Sequence, residues 1–245
     1  MSVITDNLPG LVVSLLACFI CFVVGRCWSN RKYLKLYLTT KLKLEEPVRI
    51  SAAYLFRIMV DGRYLLIRGR RIRDQFQPVG GVYQYFDSAR LKLNNLHSRP
   101  DDSLKSNGSD PNDLRIVIPG KNVAEFLDWF DEGVGREINV MREFREELVE
   151  PGYIDRSVLM DFRPELIRRC ERELGYSTHF EICEVLVHDA YEVVLPETIQ
   201  QKLKNYVLEN PEGDLVLVGR TDIERGSFER GGFFYNIAPT AKKVL

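Results

Sequence analysis

The chain has 245 residues, a formal net charge of −1 and a hydrophobic fraction of 45%. That length allows one domain with a sizeable core plus one further segment. Near-balanced charge excludes nucleic-acid binding by bulk basicity. The odd count of five cysteines, three of them (Cys18, Cys21 and Cys27) in or beside an apolar N-terminal stretch, favours a reducing compartment over a small disulfide-stapled scaffold.

Residues 8–25 read Leu-Pro-Gly-Leu-Val-Val-Ser-Leu-Leu-Ala-Cys-Phe-Ile-Cys-Phe-Val-Val-Gly, with no charged side chain. As a helix this segment spans about 27 Å, close to the hydrocarbon thickness of a bilayer. The leader 1–7 carries Asp6 and no basic residue, and no small-residue cleavage site follows, so an anchor is expected rather than a cleaved signal. Arg26, Arg31, Lys32, Lys35, Lys41 and Lys43 follow the span. The positive-inside rule then puts residues 1–7 outside, a basic linker over 26–47 at the inner face, and the domain 48–245 in the cytoplasm. Trp28 and Tyr33 suit the interfacial belt, and the basic flank suits anionic headgroups as well as it suits water. Cys18 and Cys21 form a C-x-x-C inside the apolar run, where small packing residues are expected rather than a metal site.

The domain opens with a hairpin: 48–60 is rich in β-branched and aromatic residues, Asp61-Gly62 is a turn pair, and 63–68 returns as Arg-Tyr-Leu-Leu-Ile-Arg. Arg68, Arg70, Arg71 and Arg73 crowd the next stretch, followed by Phe76-Gln-Pro-Val-Gly80-Gly81. An insertion is expected over about 83–120, whose polar part (94–113) reads as exposed or disordered. Arg115-Ile-Val-Ile118 is a short strand. Asn122 and Glu125 have the spacing of a capping box for a helix carrying Phe126, Trp129 and Phe130. A second helix is predicted over 135–149, with Ile138, Met141, Phe144 and Leu148 on its core face. Strands are expected at 180–187, 190–195, 215–220 and 232–237, with a helix at 197–209. The order is α+β around one sheet, not a regular βαβ alternation.

Glu143, Glu146 and Glu147 stand at i, i+3 and i+4 of the second helix, so three carboxylates share a face beside Arg142 and Arg145. Hard divalent cations prefer such oxygens. A mixed-charge solvated face is the commoner meaning of such a run, and spacing alone leaves that reading ahead.

Arg142-Glu143-Phe144-Arg145-Glu146-Glu147 resembles the R-E-U-x-E-E heart of the Nudix box, in which U is bulky and apolar, and Phe76-Gln-Pro-Val-Gly80-Gly81 resembles the strand and double glycine that open it. The flanking strands, the late helix and Ile237-Ala-Pro239 are similar to the Nudix αβα sandwich. There are departures. Asp128 and Val134 stand where an intact box has a glycine and a glutamate, about fifty residues intervene after the double glycine, and Val149 replaces a glycine. The resemblance implies Mg²⁺ or Mn²⁺ on Glu143, Glu146 and Glu147, with Arg142 orienting them and Glu143 as the catalytic group if the box is active. The missing glutamate argues against strong hydrolysis.

One apolar N-terminal helix ahead of an interrupted box resembles the SMODS-associated Nudix domains, which accompany CD-NTases in CBASS antiphage defence. That resemblance implies an inner-membrane effector whose domain binds a cyclic oligonucleotide and homo-oligomerises to disrupt the membrane. Arg68, Arg70, Arg71, Arg73, Gly80 and Gly81 are the candidate ligand residues, since guanidiniums suit phosphates and glycines admit close approach. For the arginines, a solvated hairpin end or a lipid contact is an equal alternative. Tyr83 and Phe86 are candidate stacking rings, although each is individually more often a core residue. A tethered hydrolase of a nucleoside diphosphate derivative ranks second. A scaffold recruiting a protein through 94–113 ranks third.

Overall fold

The computed structural model describes residues 45–69, 74–101, 110–170 and 172–245, with five positions between 36 and 42. The expected anchor 8–25, most of the linker, and Arg70, Arg71 and Arg73 lie outside the described residues. Among the described residues no helix is long and apolar enough to cross a membrane.

The long strand β1 (Pro47–Val60) carries the domain. Val48, Ile50, Tyr54, Phe56 and Ile58 point into one core, while Leu55 and Met59 point into a second on the opposite face. Both faces are covered, which is why the strand reads as an almost continuous apolar run. It turns through Asp61 and Gly62, both at positive φ (48° and 72°), into β2 (Arg63–Arg68). Those dihedrals match the twist of a tight hairpin.

β1 also pairs antiparallel with β4 (Gly80–Val82) and β6 (Arg115–Pro119), and parallel with β9 (Ile182–Val193) from Val48↔Cys183 to Ile58↔Val193. β7 (Glu165–Arg169) and β8 (Leu174–Ser177) pair with β9, and β5 (Arg99–Pro100) pairs with β6. β2 holds β3 (Gln75–Pro78) and β10 (Leu215–Val218). β12 (Phe233–Ile237) runs parallel to β3 and forms a hairpin with β11 (Ser227–Arg230).

Helices cover both faces, as a sandwich requires. α1 (Arg90–Asn95), α2 (Val123–Glu132), α3 (Met141–Phe144) and α4 (Glu197–Glu209) bury Leu93, Phe126, Phe130, Phe144, Ile199 and Leu203 in the first core. α5 (Arg220–Arg225) and a final 3-10 segment, Pro239–Val244, close the second core through Ile223, Ala241 and Val244.

The opening hairpin and the helix at 197–209 agree with the sequence expectations. Elsewhere tertiary contacts override local signals. Asn122 does not cap α2: its backbone is already helical and its amide donates to the Leu96 carbonyl at 2.9 Å. Its expected partner Glu125 instead pairs with Lys92 at 2.6 Å. The helix expected over 135–149 begins only at Met141, because Gly133 and Gly135 adopt positive φ and break the chain direction, leaving Ile138 exposed. The two strands expected at 180–187 and 190–195 are one, β9, kept continuous by its unbroken parallel pairing with β1.

The expected insertion is partly integral to the domain. Leu93, Leu96 and Leu114 are buried, and β6 lies against β1. Asp101 is buried and accepts from Arg49 at 2.6 Å, while Arg49 also reaches Glu184 at 2.8 Å. A buried cation with two carboxylate partners satisfies the desolvation requirement that an isolated charge could not.

Candidate functional site

The interrupted box closes in space. β3 turns through Val79 into β4, so Gly80 and Gly81 lie opposite Leu55 and Tyr54 of β1. The box helix crosses above them, anchored by Phe144 and Leu148, both fully buried; the Phe144 ring lies 4.5 Å from that of Phe162 and 5.7 Å from that of Phe56. After Phe144 the helix widens into a π-helical turn, Arg145–Val149. Such turns shift the phase of side chains and recur at functional sites.

Glycine is required at both positions for different reasons. A Cβ on Gly80 would fall 2.2 Å from the Tyr54 carbonyl oxygen, and one on Gly81 would fall 2.0 Å from the Glu143 carboxyl carbon. The Gly80 N–H donates to the Glu147 carboxylate at 3.0 Å. Glu143 and Glu147 are therefore seated on the double glycine, while Glu146 sits nearer solvent.

Arg142 holds this arrangement together. Its guanidinium donates to both carboxylate oxygens of Glu137 (3.2 and 3.1 Å), to Glu143 (2.7 Å) and to the Val82 carbonyl of β4 (2.7 Å). A planar guanidinium supports such forked pairing where lysine could not. Burial works against its charge, yet the hydrogen bonds to Glu137 and the neighbouring carboxylates hold Arg142 above the ordinary arginine value.

Glu137 was not a sequence candidate. It stands three residues after Val134, where the box pattern calls for glutamate, and it occupies the non-helical stretch after α2. Its own N–H donates to the Gln84 carbonyl at 2.7 Å, and its carbonyl accepts from Arg136 at 2.7 Å. Arg136 lies 3.8 Å above the Phe130 ring and donates to the Phe130 carbonyl at the end of α2. The available signal was an acid five residues before the box arginine, which spacing rules do not single out.

The remaining candidates fall elsewhere. Arg68 pairs with Asp214 at 3.1 Å and lies over Phe76 and Tyr235, at the β10 side of the sheet. Tyr83 is a core residue whose hydroxyl donates to Asp189 at 3.0 Å, whereas Phe86 is exposed.

A hard divalent ion needs several carboxylate oxygens turned into one space. Here Glu143 faces Arg142, buried Glu147 accepts from Gly80, and Glu146 lies 3.6 Å from Arg142 and 3.7 Å from Arg145. Among the described residues no three His, Cys, Asp or Glu side chains gather as a ligand set. As arranged, the donor set does not fit Mg²⁺ or Mn²⁺.

Asp113 lies within the field of Arg142 and Glu143. Burial and the nearby Asp110 and Glu143 charges, opposed by Arg142, push its carboxyl up from 3.8 to about 6.

Two outcomes follow for the purified chain. Gly81→Ala should displace the Glu143 carboxylate and cost about 1–3 kcal/mol in denaturant unfolding. Gly175→Ala, with nothing near its Cβ, should change stability by less than about 0.5 kcal/mol; equal effects would refute the close contact. Because the folded protein holds the Asp113 proton more tightly than the unfolded chain, stability present below pH 3.8 is lost as pH rises through about 6. Asp113→Asn should therefore gain on the parent across that window, read from unfolding midpoints against pH. Parallel profiles would contradict the shift.

Comparison with known proteins gives no match among curated proteins and none among solved structures. The SMODS-associated NUDIX domain family matches residues 47–245, from the first residue of β1 to the end of the chain. The match takes in the double glycine, the box helix and every strand described above, and this chain belongs to the SMODS-associated Nudix domain family.

Proposed function

We propose that the protein is a membrane-anchored sensor that binds a nucleotide signal without turning it over. The observation that carries this reading is the state of the box carboxylates. Glu143 is tied to Arg142 and Glu147 to the Gly80 N–H, so each commits an oxygen to bracing the fold, and the box carboxylates do not gather as a ligand set. A Nudix scaffold whose box has become a clamp keeps a place for a phosphorylated ligand and gives up the usual means of cleaving it.

Membership of the SMODS-associated family supports the fuller account, in which the signal is a cyclic oligonucleotide made by a CD-NTase of a CBASS antiphage system. The apolar stretch 8–25 and its basic flank support an anchor in the inner membrane with the domain on the cytoplasmic side. One helix makes no pore, so the effector acts by assembling with copies of itself, with Ser14, Cys18 and Gly25 as small packing residues. Assembled anchors then disrupt the bilayer and kill the infected cell.

The test uses the full-length protein in detergent and a panel of cyclic di-AMP, cyclic di-GMP, cyclic GMP–AMP, cyclic di-UMP and cyclic tri-AMP. At least one member should raise the unfolding midpoint, corresponding to about 2.7 kcal/mol at a hundredfold excess over Kd. That nucleotide should be recovered intact after incubation with Mg²⁺ or Mn²⁺. No shift with any member would defeat the sensor reading. Metal-dependent cleavage abolished by Glu146→Gln would replace it with a hydrolase.

A further inference from the structure

Beside the box, where the inserted chain leaves and rejoins the sheet, lies a cleft of about 360 Å³. It is large enough for one nucleotide unit of a larger ligand. Tyr85 from the chain after β4, Arg90 of α1, Arg99 of β5, and Asp110, Asp113 and Arg115 before and at the start of β6 line it.

Several of these groups are already oriented. The Tyr85 hydroxyl donates to the Pro111 carbonyl at 3.3 Å, which fixes the tilt of its half-buried ring. The Asp110 carboxylate accepts from the Asn112 N–H at 2.8 Å, and Arg115 pairs with Asp113 at 3.3 Å. Arg90, whose Nε donates to Asp87 at 2.8 Å, and Arg99 stand at the exposed rim. Three arginines face three aspartates once Asp101, itself held by Arg49, is included. Such a lining has no net charge to attract anions in bulk, so it selects by geometry. Guanidiniums suit phosphate oxygens, carboxylates suit N–H donors, and an aromatic face suits a base.

The cleft and the box share one stretch of backbone. Val82 accepts from Arg142, Gln84 exchanges hydrogen bonds with Glu137 (3.4 and 2.7 Å), and Tyr85 donates its N–H to Asn112 at 2.9 Å. A ligand that shifts Tyr85 therefore acts on the Arg142 brace two hydrogen bonds away.

We propose that this cleft is the nucleotide seat. Arg90 and Arg99 take phosphate oxygens, Tyr85 stacks on a base, and Asp110 and Asp113 accept N–H donors from a purine edge. The assignment rests on the sensor reading above, and it moves the ligand from the Arg68–Arg73 run to the stems of the insertion.

The experiment measures binding of the cyclic-nucleotide panel to the full-length parent, to R90A/R99A, and to R68A as a comparison outside the cleft. For the member that binds the parent, R90A/R99A should weaken affinity at least about tenfold, the loss expected for charge-assisted hydrogen bonds. R68A should bind like the parent. Both substituted arginines sit at the surface, and the unliganded midpoint reports folding. If R90A/R99A lowers that midpoint, R90K/R99K keeps charge and packing while losing forked geometry, and should still weaken binding severalfold. Cyclic di-UMP, with one N–H donor per base, should bind less tightly than the purine members. Unchanged affinity in R90A/R99A or R90K/R99K would overturn the cleft and leave the sensor reading standing. Loss of binding in R68A alone would return the ligand to the arginine run. No binding by the parent would defeat the sensor reading itself.

Discussion

Arg142 is the point on which the site depends. Without a cation among them, Glu137, Glu143 and the β4 carbonyl would be three acceptors in one partly buried space, and mutual repulsion would drive them apart. One guanidinium satisfies all three at once and joins parts of the chain about sixty residues apart. The brace is structural first. It decides where the double glycine lies under the helix, and therefore what the glutamates face.

β1 makes this closure possible. It pairs with β4 on one stretch, with β6 on another and with β9 along most of its length. The inserted chain can therefore leave after β4 and return at β6 without disturbing the sheet, since both ends dock on the same strand. Lengthening a connection between fixed ends costs little, because loop-closure entropy grows only logarithmically with length. The buried Arg49 group then pins the stem of the insertion through Asp101 and ties it to β9 through Glu184. A domain built this way can carry a large insertion beside its box and still keep the box assembled.

Much of this was legible in the sequence where local chemistry and burial agree. The Asp61-Gly62 hairpin, the helix of 197–209 and the box itself carry strong periodic or turn signals, and Gly80, Gly81, Glu143 and Glu147 do meet. What was hidden depends on distant partners. β7 and β8 are edge strands with mostly exposed side chains, so they lack the alternation that marks a half-buried strand. Asn122 has the chemistry of a cap and spends it on α1 instead. The π-turn after Phe144 has no signal in the spacing, yet Glu143 and Glu147 still share the face over the double glycine while Glu146 sits nearer solvent. Glu137 was missed because the box pattern searches a fixed position, whereas the fold only needs a carboxylate within reach of Arg142.

The most direct test is a double-mutant cycle on Glu137→Gln and Arg142→Lys, following denaturant unfolding of the full-length protein in detergent. A coupling energy of at least about 1 kcal/mol is the expected result, since the two side chains share a forked and partly buried pair. Additive losses, with coupling near zero, would mean that Arg142 does not brace the box through Glu137, and the account of the site would fall with it.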